Sequence, residues 1–248
     1  MKQPSKLSVR DAVSSDLPAL QALLGRRIEL PLLAHERLFV AVAEAQAEAE
    51  SAAANLLATL RLRPAIGLAL PRWWYHVGCA VHAAAELALF HRQPTLLMCN
   101  DLTGTAELCD INAAAPAQAL SALVRAALDA VDAQAAVYGP TVIAELPGTR
   151  DGNGDSPFWQ GLGRHFYSQD PHHALAQHGP AWRSHVAALL PRHPIYTSFL
   201  PGAAQAAIGQ NHAEVATLRG VLESCGLAAR THVAIDDAGP VLERHRPA

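Results

Sequence analysis

Alternation and helical spacing divide the chain into a series of elements. Leu7 to Val13 alternates apolar and polar side chains and predicts a strand. Ser14-Ser15-Asp16-Leu17-Pro18 then reads as a helix start, with a serine cap, an acidic first turn and a proline where its missing N–H costs nothing. Leu17, Leu20, Leu23 and Leu24 follow at helical spacing until Gly25. Glu36 to Ala54, rich in alanine and glutamate, predicts a second helix with one modest apolar face. Asn55 to Arg63 sets Leu56, Ala58, Leu60 and Leu62 against mostly polar positions, the pattern of a half-buried strand. Trp74 to Val81 and Thr95 to Cys99 are further strands, the second flanked by Pro94 and Asn100-Asp101. After a polar break at Asp110 to Pro116, Ala117 to Val131 predicts a helix and Thr141 to Leu146 a buried strand.

From residue 147 the texture changes. Pro147 to Asp155 is dense in glycine and aspartate and reads as a loop, and Ser156-Pro157-Phe158-Trp159 opens a short helix. Helical stretches near 181–190, 202–208 and 213–226 follow, the last closed by Gly226. Ala228 to Ile235 is the final strand and Asp236 to Pro240 a turn. Without repeats or a long linker, the order predicts one domain over 1–248. Residues 1–146 supply a sheet-and-helix core, and 147–248 supply helical segments and a terminal strand packed on it. The class is α/β with a mixed sheet.

Composition removes several functions. Half of the 248 residues are hydrophobic, 17% are charged and the net charge is −3, which argues against a solvated coil. Lys+Arg 19 against Asp+Glu 22 leaves no basic footprint for nucleic acid. No apolar stretch follows Lys2 and Lys6 as a signal segment would, and no run approaches the ~18 apolar residues that cross a bilayer. Cys79, Cys99, Cys109 and Cys225 lack CxxC spacing and read as reduced thiols, which places the chain in the cytoplasm.

Histidine is the outlying ionisable class, with 13 residues. None forms an HxH, HExxH or His/Cys pattern at ligand spacing, so no metal is expected. Nucleophile elbows, P-loops and dinucleotide fingerprints are missing, and Gly161-Leu162-Gly163 fits helix packing better than a phosphate loop. Four polar islands stand out: Cys99 to Cys109, Ala144-Glu145-Leu146, His193 to Thr197, and Ile208-Gly209-Gln210-Asn211-His212. Each taken singly is a turn.

As an ordered set, with Trp74-Tyr75, Val81-His82-Ala83, Asn100-Asp101, Thr103-Gly104, Glu107-Leu108-Cys109, Ser156-Pro157-Phe158-Trp159-Gln160, Pro191 to Thr197 and Asp236-Asp237 with Gly239-Pro240, they resemble arginine N-succinyltransferase. The resemblance covers most of residues 73–243. It implies the acyl-CoA N-acyltransferase (GNAT-like) fold, a mixed, mostly antiparallel sheet flanked by helices. It also implies transfer of succinyl from succinyl-CoA to the α-amine of arginine or a similar amino acid. Succinyl-CoA is then a substrate, no cofactor is tightly bound, and the assembly is a homodimer or a heteromer with a paralogous subunit. The family's proton donor falls on His212, whose imidazole exchanges protons near neutrality. Its acyl-CoA contact falls on Ile111. Side-chain chemistry adds Asn100, Asp101, Thr103 and Glu145 on the substrate side, because a guanidinium takes carboxylate and amide acceptors.

Four departures mark a shortened, divergent member. The stretch Asn112 to Ala119 replaces the family's glycine-rich pyrophosphate loop, and no glycine lies between Gly104 and Gly139. Ile28-Glu29-Leu30-Pro31 replaces Thr-Ser-Leu-Pro. The strand pair before Asn55 is shortened or lost to the Ala/Glu helix, and the chain stops soon after the Asp-Asp-x-Gly-Pro turn. Two alternatives stay open: a non-catalytic subunit of a heteromeric succinyltransferase, and a CoA-independent enzyme on the same fold.

Overall fold

The computed structural model describes residues 7–26, 28, 30, 32–43 and 56–246. Among them, ten strands form one sheet: β1 (Leu7–Asp11), β2 (Arg37–Ala43), β3 (Leu56–Arg63), β4 (Trp74–Ala84), β5 (Leu89–Cys99), β6 (Ala106–Cys109), β7 (Thr141–Glu145), β8 (Ile195–Tyr196), β9 (Ala228–Ala234) and β10 (Pro240–His245). Their spatial order is β1-β2-β3-β6-β7-β10-β9-β4-β5-β8. Neighbours are antiparallel except β6 and β7, which are parallel and joined through helix α2 (Ala117–Ala133). A parallel pair requires such a crossover, because a tight turn cannot bring the chain back to the same edge. This is the mixed, mostly antiparallel architecture the resemblance implies.

Helix α1 (Leu17–Leu24) begins where the serine and proline signals place it and ends at Gly25, whose φ of 63° a side chain rarely adopts. α3 (Ala135–Tyr138) follows α2 directly. α4 (Pro157–Gly161), α5 (Pro171–His178), α6 (Trp182–Ala187) and α7 (Gly202–Ala207) precede α8 (Ala216–Ser224). α2 and α8 cover one side of the sheet with Leu120, Leu123, Val124, Leu218 and Leu222, against Leu60, Leu108, Val142 and Leu242. On the same side a second cluster packs Phe158, Trp159, Trp182 and Leu200 against Tyr75, Leu96 and Val233. Trp74 points the other way, into a small cluster with Ile66, Leu102, Ile143 and Val241. Strand alternation thus sends Trp74 and Tyr75 to opposite faces.

Several expectations are corrected. Arg37–Ala43 is a strand, not part of a helix, and the predicted helix over 44–54 lies outside the described residues. The reason is that Leu38 and Val40 pack under α1 while Phe39 and Ala41 pack under α2, so both faces are buried and burial outweighs helix propensity. Before residue 55 the sheet therefore holds β1 and β2, paired antiparallel, and residues 44–55 of the expected shortening lie outside the described residues. β4 and β5 continue as an eleven-residue hairpin pair beyond the predicted ends. β6, β8, β10 and α5 had no predicted counterpart. Of the segment 28–31, Glu29 and Pro31 lie outside the described residues.

Candidate active site

The parallel pair parts early. Ala106 faces Val142 and Glu107 faces Ile143, but the pairing stops there while the strands run on to Cys109 and Glu145. The backbone groups beyond are split between outer neighbours: Cys109 pairs with Arg61 on β3, and Glu145 with Val241 on β10. An opening therefore forms at the carboxyl ends of β6 and β7. On the β6 side Asp110 turns the chain with φ 51°, held by Arg61 Nε at 2.6 Å and by Arg26. Ile111 follows, half-buried against the α2 side of the core. Asn112 closes the turn into α2 by accepting from Ala115 N–H at 3.1 Å and, through Oδ1, from Ala114 N–H at 3.2 Å. Pro116 caps α2 without a side-chain bond, so the first turn of this 17-residue helix lacks a capping side chain. The turn is thus built from an Asx bond and alanines.

On the β7 side the chain runs through Leu146 and Pro147 to Gly148. His212 is fixed there: its N–H donates to the Pro147 carbonyl at 2.8 Å, and Asn211 bridges to Gly148. Asn211 is itself held, with Arg219 donating to its Oδ1 at 2.8 Å. The His212 ring Nδ1 accepts from Glu214 N–H at 3.4 Å and lies 3.7 Å from Glu214 Oε2, and Nε2 has no hydrogen-bond partner among the described residues. The ring is 30% exposed.

Asp237 locks this segment. Its Oδ2 accepts from Gly148 N–H and its Oδ1 from Gly239 N–H, both at 2.8 Å. A Cβ on Gly148 would stand 2.2 Å from the Asp237 carbonyl, and one on Gly239 would stand 2.1 Å from the Leu146 carbonyl. Both positions therefore require glycine. The same turn reaches the His212 side, where Gly209 N–H donates to Ala238 O at 2.9 Å. Burial and the adjacent Asp236 push the Asp237 carboxyl up to about 7, against the two N–H donors and Arg183.

Glu145 is reached by two arginines. Arg72 donates to Glu107 at 2.6 Å and also to Glu145, while Arg183 donates to Glu145 at 3.1 Å and to Asp236 at 2.8 Å. Burial alone would raise the Glu145 carboxyl; the charges of Arg183 and Arg72 and their hydrogen bonds outweigh it and hold the group below its ordinary value. Both of its oxygens are committed. The two ends of this chain are not satisfied: Glu107 Oε2 and Asp236 Oδ1 are buried without a hydrogen-bond partner among the described residues. Arg63, partly exposed, stands 4.0 Å from Glu107 Oε2.

Asn100, Asp101 and Thr103 lie on the turn between β5 and β6, where Thr103 N–H donates to Asn100 O at 3.0 Å. Leu102 at its centre packs with Trp74 and Ile143, so the turn lies on the sheet face that also carries Glu107 and Glu145. Asn100 is exposed and Thr103 half-buried. Asp101 is engaged elsewhere: both its oxygens lie 3.1 Å from His232 Nε2. His232 Nδ1 meets Glu243 at 2.7 Å. Burial disfavours charge on this ring, but its bonds to Cys99, Glu243 and Asp101 push it up to about 10.

The opening thus brings Ile111, Glu145 and His212 to the ends of one strand pair, and leaves Asn100, Asp101 and Thr103 on a neighbouring turn. Sequence reasoning missed Arg72, Arg183, Glu107, Asp236 and Asp237 as a connected set. The Asp-Asp-x-Gly-Pro turn and the Glu107-Leu108-Cys109 island carried a signal; Arg72 and Arg183 carried none.

A family model described as arginine N-succinyltransferase beta subunit matches residues 7–247. Arginine N-succinyltransferases of Escherichia coli strain K12 / DH10B and of Escherichia fergusonii are 36% identical over 246 residues, covering 92% of this chain and 68% of theirs. Among solved structures, arginine/ornithine succinyltransferase subunit AI from Pseudomonas aeruginosa superposes with a TM-score of 0.72 at 22% identity, covering 96% of this chain and 76% of that one.

Proposed function

The chain belongs to the arginine N-succinyltransferase family, and on that footing we propose that it transfers succinyl from succinyl-CoA to the α-amine of arginine at the opening between β6 and β7. The observation that carries this reading is the parting of the parallel pair after Glu107 and Ile143, with His212 tied to the exit of β7. A thioester arm entering the opening passes Ile111, and the uncapped N–H groups at the start of α2 suit its pyrophosphate. The alanines around that turn keep the backbone approachable where the family uses glycine.

In the reaction the free amine attacks the thioester carbonyl, the new C–N bond forms, and the C–S bond breaks. The His212 imidazole takes the proton that the attacking nitrogen releases and passes it to the departing thiolate, so that it ends the cycle unchanged. The acceptor's guanidinium needs carboxylate oxygens that are free. Glu145 and Asp101 are committed to protein cations, whereas Glu107 Oε2 and Asp236 Oδ1 are buried without a hydrogen-bond partner among the described residues. Glu107, Glu145 and Asp236 stand against Arg72 and Arg183, with Arg63 4.0 Å from Glu107 Oε2, and a cationic acceptor supplies a donor for the two oxygens that lack one. Asn100 and Thr103 sit on the same face as polar contacts.

Steady-state release of CoA thiol from succinyl-CoA and arginine tests this. Glu107→Gln and Asp236→Asn raise KM for arginine about tenfold or more, with KM for succinyl-CoA unchanged. Unaltered KM for arginine in both variants refutes the acceptor assignment; no thiol release from the parent chain refutes the activity.

A second reading is favoured by the glycine-free turn before α2: this chain is one subunit of a heteromer, and a paralogous partner completes the CoA site. The far half of the β4–β5 hairpin exposes Val81, Leu87, Leu89 and Phe90, an apolar surface that an assembly would cover. Activity that appears only on co-expression with a paralogue favours this reading.

A further inference from the structure

We propose that Cys99, Asp101 and His232 form a binding site for one divalent ion of the zinc class, set across strand β4. The proposal is independent of the succinyl-transfer reading. Their donor atoms all lie within 4.8 Å of one another. His232 Nε2 is 3.1 Å from each Asp101 oxygen. Two ligands at ~2.0–2.1 Å from a tetrahedral zinc stand about 3.3 Å apart, so nitrogen and oxygen are already near the spacing that a shared ion imposes. Thiolate, imidazole and a single carboxylate form a donor set that suits zinc and its neighbours and discriminates against calcium and magnesium.

The support behind the imidazole fits the same chemistry. Glu243, 3% exposed, holds His232 Nδ1 at 2.7 Å, and His245 Nε2 contacts its second oxygen at 3.1 Å. A carboxylate on the far nitrogen fixes ring orientation, aims Nε2 outward and raises its basicity as a ligand. Access runs through Asp101, whose side chain is 55% exposed while that of His232 is 9% exposed. That side leaves the fourth position to water.

Sequence spacing conceals the site because the ligands meet only through the sheet. Cys99 ends β5 opposite Trp74, and His232 on β9 lies opposite His76, so the ion ties together the two strands that flank β4. It also anchors the turn that carries Asn100 and Thr103. Binding exchanges protons for metal bonds: the Cys99 thiol proton and the His232 Nε2 proton pass to solvent as the sulfur and nitrogen bonds form, and nothing is oxidised or reduced.

The test is titration of the chelator-treated full chain with cobalt(II), followed by displacement with zinc(II). The expected result is one ion per chain with a thiolate-to-cobalt charge-transfer band, lost in Cys99→Ser and retained in Cys79→Ser. Asp101→Asn, altered at a largely exposed side chain, weakens binding tenfold or more, and Glu243→Gln weakens it ~10–100-fold. Circular dichroism of each variant confirms the fold, and Asp101→Asn decides the matter if Glu243→Gln unfolds. Binding without a thiolate band, a band that survives Cys99→Ser, affinity unchanged in Asp101→Asn, or no binding at all overturns the proposal.

Discussion

Gly148→Ala is the sharpest probe of how His212 is held. An alanine Cβ there would lie 2.2 Å from the Asp237 carbonyl oxygen, where ordinary contact begins at 3.4 Å, so the two segments must separate by about 1.2 Å. That shift breaks the hydrogen bond from Gly148 N–H to Asp237, which is worth about 1.5–3 kcal/mol for a charged acceptor. Crowding against backbone adds about 1–3 kcal/mol, and reduced freedom of the unfolded chain returns about 0.4–1 kcal/mol. The net loss is about 1.5–5.5 kcal/mol, set against a typical stability of about 5–15 kcal/mol. Because Pro147 O receives the His212 N–H, the same shift displaces the imidazole, and a ~1 Å misplacement costs ~10²-fold in rate. The assay pairs thermal melting with kcat measured well below the variant's Tm. Gly152→Ala serves as control, since its Cβ meets nothing within 4 Å. Gly148→Ala with parental Tm and kcat refutes the claim that Asp237 and Gly148 set the position of His212.

Glu145→Gln leaves Arg72 and Arg183 without their shared carboxylate and lowers stability by about 3–5 kcal/mol in denaturant titration. The Glu145 carboxyl is held below the ordinary 4.5, so its contribution is full above that pH and is lost as pH falls through the native value; the glutamine variant melts with a flatter acid limb. Asp237 behaves oppositely. Its native carboxyl is raised from 3.8 to about 7, so the folded chain keeps a proton that the unfolded chain has lost. Stability therefore declines as pH rises across that window and levels off above it, and Asp237→Asn removes the decline in melts taken at pH 4 to 8. Phe90, 70% exposed at the hairpin, becomes a test of assembly: Phe90→Glu shifts the sedimentation coefficient to that of a single chain if the hairpin is an interface.

Local signals were legible where short-range chemistry decides the outcome. Leu7 to Val13, the Ser-Ser-Asp-Leu-Pro helix start with Gly25, Ala117 to Val131 and the Ser156 cap were all read from spacing and capping, and Ser156 Oγ does accept from Trp159 N–H at 3.1 Å. Arg37–Ala43 was misread because its alternation is hidden by burial on both faces, which only the neighbouring strands β1 and β3 create. β10 was missed because Pro240 reads as a turn residue, while its partners lie on β7, almost a hundred positions earlier. The site divides in the same way. His212 and Ile111 follow from ordered family islands, and Glu145 was picked as a guanidinium acceptor on chemistry that is sound. What hid its neighbours is that Arg72 and Arg183 reach Glu145, and Asp236 reaches Arg183, from separate stretches of chain. Their carboxylates and guanidiniums satisfy one another, leaving the free oxygens on Glu107 and Asp236 instead.

The most direct measurement is turnover of succinyl-CoA and arginine by the His212→Gln chain, compared with the parent under saturating substrates. The imidazole is partly exposed and outside the core, so the variant keeps its Tm to within about 1 °C. With the imidazole no longer there to carry a proton from the amine to the departing thiolate, kcat falls ~10²-fold or more while KM for both substrates changes little. A folded His212→Gln chain that releases CoA thiol at the parental rate contradicts the account.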